Sequence, residues 1–190
     1  MSDSDFDPES FDISNIAGNA PDEVKRMFGD PGAFFINRRP FGVDNKIFGE
    51  DIQKRLKVTE ISIVPKAEES KKTEARFVME TEVAEDMLNG GGNIHGGCSA
   101  FLVDLCSSFA LLALGFASSG EVNPSVSQSL NLVYHSPAQL GDKLRIINTT
   151  LTLGARAQSA RTEIWNATHH RLVVSGTHIK MVPSAPKSNL

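Results

Sequence analysis

The longest apolar run in the chain, Gly97 to Leu114, holds no proline and a single charge, Asp104. Its apolar residues fall on every side of a helical projection, so the helix it predicts is buried rather than laid on a surface. Ser, Gly and Asp interrupt the run too often for a membrane span. A lone carboxylate in a buried helix costs several kcal/mol unless it is paired, protonated or put to use. A loop of glycines, Asn89-Gly-Gly-Gly-Asn-Ile-His95-Gly96-Gly97, feeds straight into this helix. Any fold for the chain must wrap the helix and give Asp104 a purpose.

With 190 residues the chain is long enough for one domain with extensions. Lys+Arg number 19 and Asp+Glu 23. Five of the acids are Asp3, Asp5, Asp7, Glu9 and Asp12, so the rest is close to neutral. That balance excludes an electrostatic nucleic-acid binder. The acidic start argues against a mitochondrial presequence, and no signal peptide is evident. Cys98 and Cys106 lie eight helical residues apart, about 12 Å, too far for a disulfide. Reduced thiols point to an intracellular protein. The Asn-x-Thr triplets at Asn148 and Asn166 then carry no glycosylation meaning. Cytoplasm is the expected compartment, with peroxisomal or mitochondrial delivery as alternatives; the C-terminal Ser188-Asn189-Leu190 lacks the basic residue of a peroxisomal address.

Residues 1–20 are polar and acidic and are expected to be disordered. Pro21-Asp22-Glu23 opens a helix that ends near Gly29, before Asp30-Pro31-Gly32. Residues 33–47 show no period, and Pro40-Phe41-Gly42 reads as a turn. Glu50 to Arg55 predicts a short helix. Strands are predicted over 56–64 and 75–83, the second with Ala75, Phe77, Met79, Thr81 and Val83 alternating with polar residues. After the long helix come strands over 125–135, 143–153, 157–166 and 171–182. In the first of these, Val126, Leu130, Leu132 and Tyr134 share one face, with Ser127, Ser129 and Asn131 opposite. Short turns favour antiparallel pairing. One long sheet curled around one buried helix is an α+β layout. The divisions are an N-terminal extension over 1–48, partly disordered, a domain over 49–183, and a flexible tail over 184–190.

That order, with Asn89-x5-His95-Gly96-Gly97-x2-Ala100-x-Leu102-x-Asp104, resembles the hotdog-fold acyl-CoA thioesterases. The branch it looks most like is the phenylacetate-type and thioesterase-superfamily-member-2 (acyl-CoA thioesterase 13) group. A second motif, Ser127-x3-Asn131-x2-Tyr134-x-Ser136-Pro137-Ala138-x-Leu140-Gly141-Asp142, supports it. The resemblance covers about residues 50–182. It implies a hotdog fold, hydrolysis of acyl-CoA, a homodimer and a dimer of dimers. Coenzyme A would then be part of the substrate, with no cofactor and no metal.

The residues suit that chemistry. A helix N-terminus offers unpaired N–H groups and partial positive charge. Gly96 and Gly97 lack Cβ, so a carbonyl oxygen can approach those groups, and one such donor is worth roughly 3 kcal/mol of barrier. The resemblance implies that the Gly96 N–H and the Asn89 amide hold the thioester oxygen. It makes Asp104 the general base, Ser127 a holder of the attacking water, and His95 an orienter of the loop and of the Asn89 amide. Asp104 lies eight residues, about 12 Å, beyond Gly96. One copy therefore cannot put both on one carbonyl, but an antiparallel second copy of the helix can, giving two shared sites. Coenzyme A contacts are implied for Tyr134, His135, Ser136 and Pro137, and for the hairpin carrying Arg156. Relatives carry lysines where this chain has Gln139, Thr152 and Ala155. His178 and Lys180 on the last strand are further candidates for the nucleotide. Cys98 is a small filler rather than a nucleophile.

Two rivals share the fold. A non-catalytic acyl-CoA sensor would bind without turnover. A dehydratase or hydratase acting on acyl thioesters would need a catalytic His–acid pair, which the motif spacing does not supply. The glycines fit neither a dinucleotide fingerprint nor a P-loop. His169, His170 and His178 have no partners at zinc spacing.

Overall fold

The computed structural model describes residues 10–36, 46–123 and 125–183. The expectations for residues 1–9, for the turn at Pro40 and for the tail from 184 lie outside the described residues. Three short helices, α1 (Asp22–Phe28), α2 (Pro31–Ile36) and α3 (Glu50–Gln53), precede strands β1 (Lys57–Pro65) and β2 (Thr73–Glu82). The long helix α4 (Gly96–Ser119) follows, then β3 (Val126–Tyr134), β4 (Lys143–Leu153), β5 (Ala157–Asn166) and β6 (Arg171–Met181). The six strands form one antiparallel sheet in the order β1-β2-β4-β5-β6-β3. This is the hotdog arrangement, an α+β fold with the sheet around α4.

Alternation on β2 buries Ala75, Phe77 and Met79 fully against the helix side. From α4 itself Leu102, Val103, Cys106, Phe109, Ala110 and Ala113 are fully buried. The helix is long and apolar enough to cross a membrane by length and composition. Here its apolar surface is taken up by the sheet and the N-terminal helices. Asn148 and Asn166 are also fully buried, Asn148 bonded to Phe77 O and Thr162, Asn166 to Asp142. Neither side chain is open to a glycan.

The N-terminal extension departs from the expectation of disorder over residues 10–20. Ala17 N–H donates to Thr59 O, Ile61 N–H to Ala17 O and Ala20 N–H to Ile61 O, at 2.9, 3.0 and 3.1 Å. The Asn19 side chain bonds both N–H and C=O of Ile63. This segment therefore covers the outer edge of β1, and its Ile16 and Ala20 are buried. Gly18 makes the approach possible: its φ is +94°, and a Cβ there would lie 2.2 Å from Ile61 O.

Helix α2 was not visible as a period. Asp30-Pro31 reads as a stop, but here it is a start: Asp30 Oδ1 accepts the Ala33 N–H at 2.9 Å, and Pro31 takes the first helical position. The result stacks Phe34 on Phe28 and both on Phe109 of α4, with ring centroids 5.1–6.4 Å apart.

Candidate active site

The two sequence motifs meet at the start of α4. Asn93 pairs with Gln139, and Ile94 N–H donates to Ala138 O at 2.8 Å. Tyr134 Oη donates to Gly96 O at 3.0 Å. The turn after β3 is pinned in turn by Asp142, whose Oδ2 accepts from Gln139 N–H and Asn166 Nδ2. His135 bonds Ser175 at 2.9 Å, Ser136 donates to Leu172 O, and Pro137 is exposed. Tyr134, also exposed, is the member of this group that touches the glycine turn.

His95 caps α4: its Nδ1 accepts the Gly97 N–H at 2.9 Å. It makes no hydrogen bond to Asn89, so the expected orienting of that amide is corrected. Asn89 is oriented by its own loop, its Oδ1 accepting the N–H groups of Gly91 and Asn93 at 2.9 and 3.3 Å. Among the described residues neither the Asn89 Nδ2 nor the Gly96 N–H has a hydrogen-bond acceptor. With Gly97 N–H spent on His95, Gly96 is the open donor of the helix start. Packing does not demand glycine there, because a Cβ would sit 3.4 Å from the Tyr134 ring, ordinary contact distance.

Asp104 is less enclosed than a lone charge in an apolar helix suggests: its side chain is 44% exposed. Ser127 Oγ donates to Asp104 Oδ1 at 2.7 Å. The expected facing of β3 is corrected here. A β-bulge between Ser127 and Ser129 shifts the register and turns Ser127 to the same side as Leu130 and Leu132.

A polar layer lies behind the acid. His178 is fully buried; its Nδ1 lies 2.7 Å from Ser107 Oγ and its Nε2 3.2 Å from Asp104 Oδ1. The second contact is off hydrogen-bond alignment, so it is electrostatic rather than a formed bond. Burial pulls the imidazole below its ordinary range, with Asp104 opposing and Lys180 assisting. Ser108 donates to Asp104 O at 2.7 Å and accepts from Lys180 Nζ at 2.8 Å. Lys180 is 8% exposed, and its ammonium faces α4. The expectation that Lys180 and His178 reach a nucleotide is therefore corrected. On β6 the inward set is Val174, Gly176, His178 and Lys180, while Ile179 and Met181 take the opposite face. The hydrophobic pattern of the strand points the other way.

A His–acid pair thus exists where motif spacing showed none. His178 sits behind Asp104 and away from solvent, so it can hold the acid but not touch a substrate. Cys98 is half-buried, and burial pushes its thiol up to about 11, which keeps it protonated at neutral pH. Among the described residues no three His, Cys, Asp or Glu side chains are grouped to hold a metal.

Within one chain the two halves stay apart. Gly96 and Asp104 sit on one continuous helix, about 12 Å apart along its axis. Arg156 is exposed beside the Ala157–Met181 end of the sheet, whereas Tyr134 is at the other end of β3. Eight strand residues separate those ends, roughly 26 Å.

The Thioesterase superfamily matches residues 91–173. The Mus musculus protein named acyl-coenzyme A thioesterase 13 is 32% identical over 124 residues, 65% of this chain and 79% of its own. A zebra fish thioesterase superfamily member 2 structure superposes with a TM-score of 0.61 at 25% identity, covering 85% of this chain and 96% of that one. A hypothetical thioesterase protein from Streptococcus pneumoniae, solved with coenzyme A, gives 0.51 at 26% identity over 57% and 79% of the two chains. With a helix-start donor pair, a hydroxyl-bonded acid and a hotdog sheet already in place, these matches set the family: the chain belongs to the thioesterase superfamily of thioester hydrolases.

Proposed function

We propose that this protein hydrolyses acyl-CoA thioesters to free acid and CoA, at sites shared between two copies. The Ser127–Asp104 hydrogen bond carries the reading. Ser127 Oγ gives its proton to Asp104 Oδ1, so its lone pairs can accept from a water. Asp104 Oδ2 is left to take that water's proton as general base. The water oxygen attacks the thioester carbon, and the oxyanion forms at Gly96 N–H and Asn89 Nδ2 of the other copy. Collapse breaks the C–S bond, and the proton held by Asp104 passes to the departing thiolate. Tyr134 to Pro137 and, from the second copy, Arg156 are placed to meet the coenzyme.

The edge strand β3 supports the pairing. It has a neighbour on one side, β6, and its Val126, Val133 and Tyr134 are more than half exposed. A bare strand edge with apolar side chains is a template for a second strand. Ser127 and Tyr134 ride on the same strand, so strand pairing would bring the acid of one copy toward the glycine turn of the other. A single copy would bind the thioester without turning it over, which is the one observation favouring a binding-only reading.

The test is release of free thiol from a panel of acyl-CoAs, with Asp104→Asn beside the wild type. The reading expects a loss of about 10²–10⁴-fold in kcat. Turnover retained in the variant would remove Asp104 from the mechanism.

A further inference from the structure

A cavity of about 530 Å³ opens beside the start of α4, on the side away from Tyr134. Its apolar wall is Ile47, Phe48, Ile52, Leu88, Cys98 and Phe101, and Gly97 and His95 join it to the glycine turn. The charged groups at its rim are already paired, Lys46 with Asp51 and Asp86 with Arg55. Half of this wall comes from residues 46–53, outside the segment matched by the superfamily. The α3 turn is built to sit close. Gly49 has φ +68°, and a Cβ there would lie 2.4 Å from the Phe101 ring. That approach sets Phe48 edge-on against Phe101, with centroids 5.2 Å apart and planes at 84°. Phe48 remains 82% exposed, a large apolar face turned to the opening.

We propose that this cavity takes the acyl group of the thioester, and that Phe48 and Phe101 set which acyl groups fit. The inference rests on the thioesterase reading. A thioester whose oxygen meets the Gly96 N–H sends its two substituents to opposite sides of that donor. One side is the Tyr134 turn and the other is this cavity. A diphosphate-bearing thiol would lose its hydration against the apolar wall, whereas an acyl chain gains from burial there. The volume lies within the roughly 300–1,000 Å³ of small-molecule pockets. Seating a chain would also cover the exposed face of Phe48.

The experiment uses the full chain, wild type and Phe48→Ala, with two readouts. One is kcat/KM on acetyl- to octanoyl-CoA. The other is calorimetric binding of the matching acyl-CoA thioethers, which cannot be hydrolysed. In the wild type both should rise by roughly three- to fourfold per methylene until the cavity fills. In Phe48→Ala the octanoyl-to-acetyl ratio should fall about tenfold. An exposed side chain is replaced, so folding is not at stake. A ratio within twofold of wild type overturns the acyl subsite and leaves hydrolysis standing. Length-graded, Phe48-dependent binding without turnover overturns the hydrolase reading and supports the subsite.

Discussion

The two edges of the sheet are finished differently. At β1 the chain covers its own edge, because residues 17–20 run along Thr59 to Ile63 and bond to it. At β3 nothing among the described residues pairs with the outer edge, and Val126, Val133 and Tyr134 stand exposed. One edge is closed as a liability and the other is left available. The available edge carries Ser127 and Tyr134, each bonded to a different half of the catalytic apparatus. In this account β1 belongs to stability and β3 to assembly and chemistry.

Breaking the open edge should cost most. Val133→Lys places a charge on it, and the protein should sediment as a monomer. Activity should fall about 10²–10⁴-fold, since a monomer separates base from oxyanion site. A monomer with wild-type turnover would sever assembly from chemistry. Next comes the donor side of the site. Asn89→Ala removes one of two open donors and should lower kcat about 10²–10³-fold, with little change in thermal stability. An equal loss in thermal stability would instead mark Asn89 as a loop support.

At the closed edge the readout changes from activity to stability. Gly18→Ala forces a side chain into a left-handed backbone beside Ile61 O. It should cost about 2 kcal/mol in chemical denaturation while the assembled protein keeps its kcat. The smallest effect belongs to His178. Its folded-state pKa lies below the ordinary value of 6.5, first because of burial. The folded state then binds a proton less readily than the unfolded one. Its contribution to stability is present above pH 6.5 and is lost as pH falls through the lower, folded value. Tm should drop on acidification in that window, and His178→Gln should flatten the drop. Lys180 and Asp104 face the ring and should keep their contributions in both proteins.

What the sequence made legible follows from physics that is local. Glycines before an unbroken apolar run announce α4, and strict alternation announces β2. Helical rise alone separates Gly96 from Asp104 and so raises the shared site. The residues that misled did so through context. Asp30-Pro31 looks like a terminus from either direction, and only the Ala33 N–H decides that it starts α2. The bulge at Ser127 reverses a face and leaves no mark in the pattern. His178 and Lys180 point inward against their hydrophobicity, because Ser107, Ser108 and Asp104 await them on α4. Polar layers of that kind are a property of two elements together. Burial of Ile16 and Ala20 likewise depends on the free edge of β1, sixty residues' reach beyond any periodicity in an acidic tail.

The central claim is that each site draws its donors from one copy and its base from another. Subunit complementation tests it most directly. Asn89→Ala and Asp104→Asn chains, each nearly inactive alone, are co-refolded in equal amounts and assayed for thiol release. Random pairing makes half the dimers mixed, and each mixed dimer carries one intact site of two. The account predicts recovery of about one quarter of wild-type activity. Activity no greater than the average of the two separate variants would contradict it.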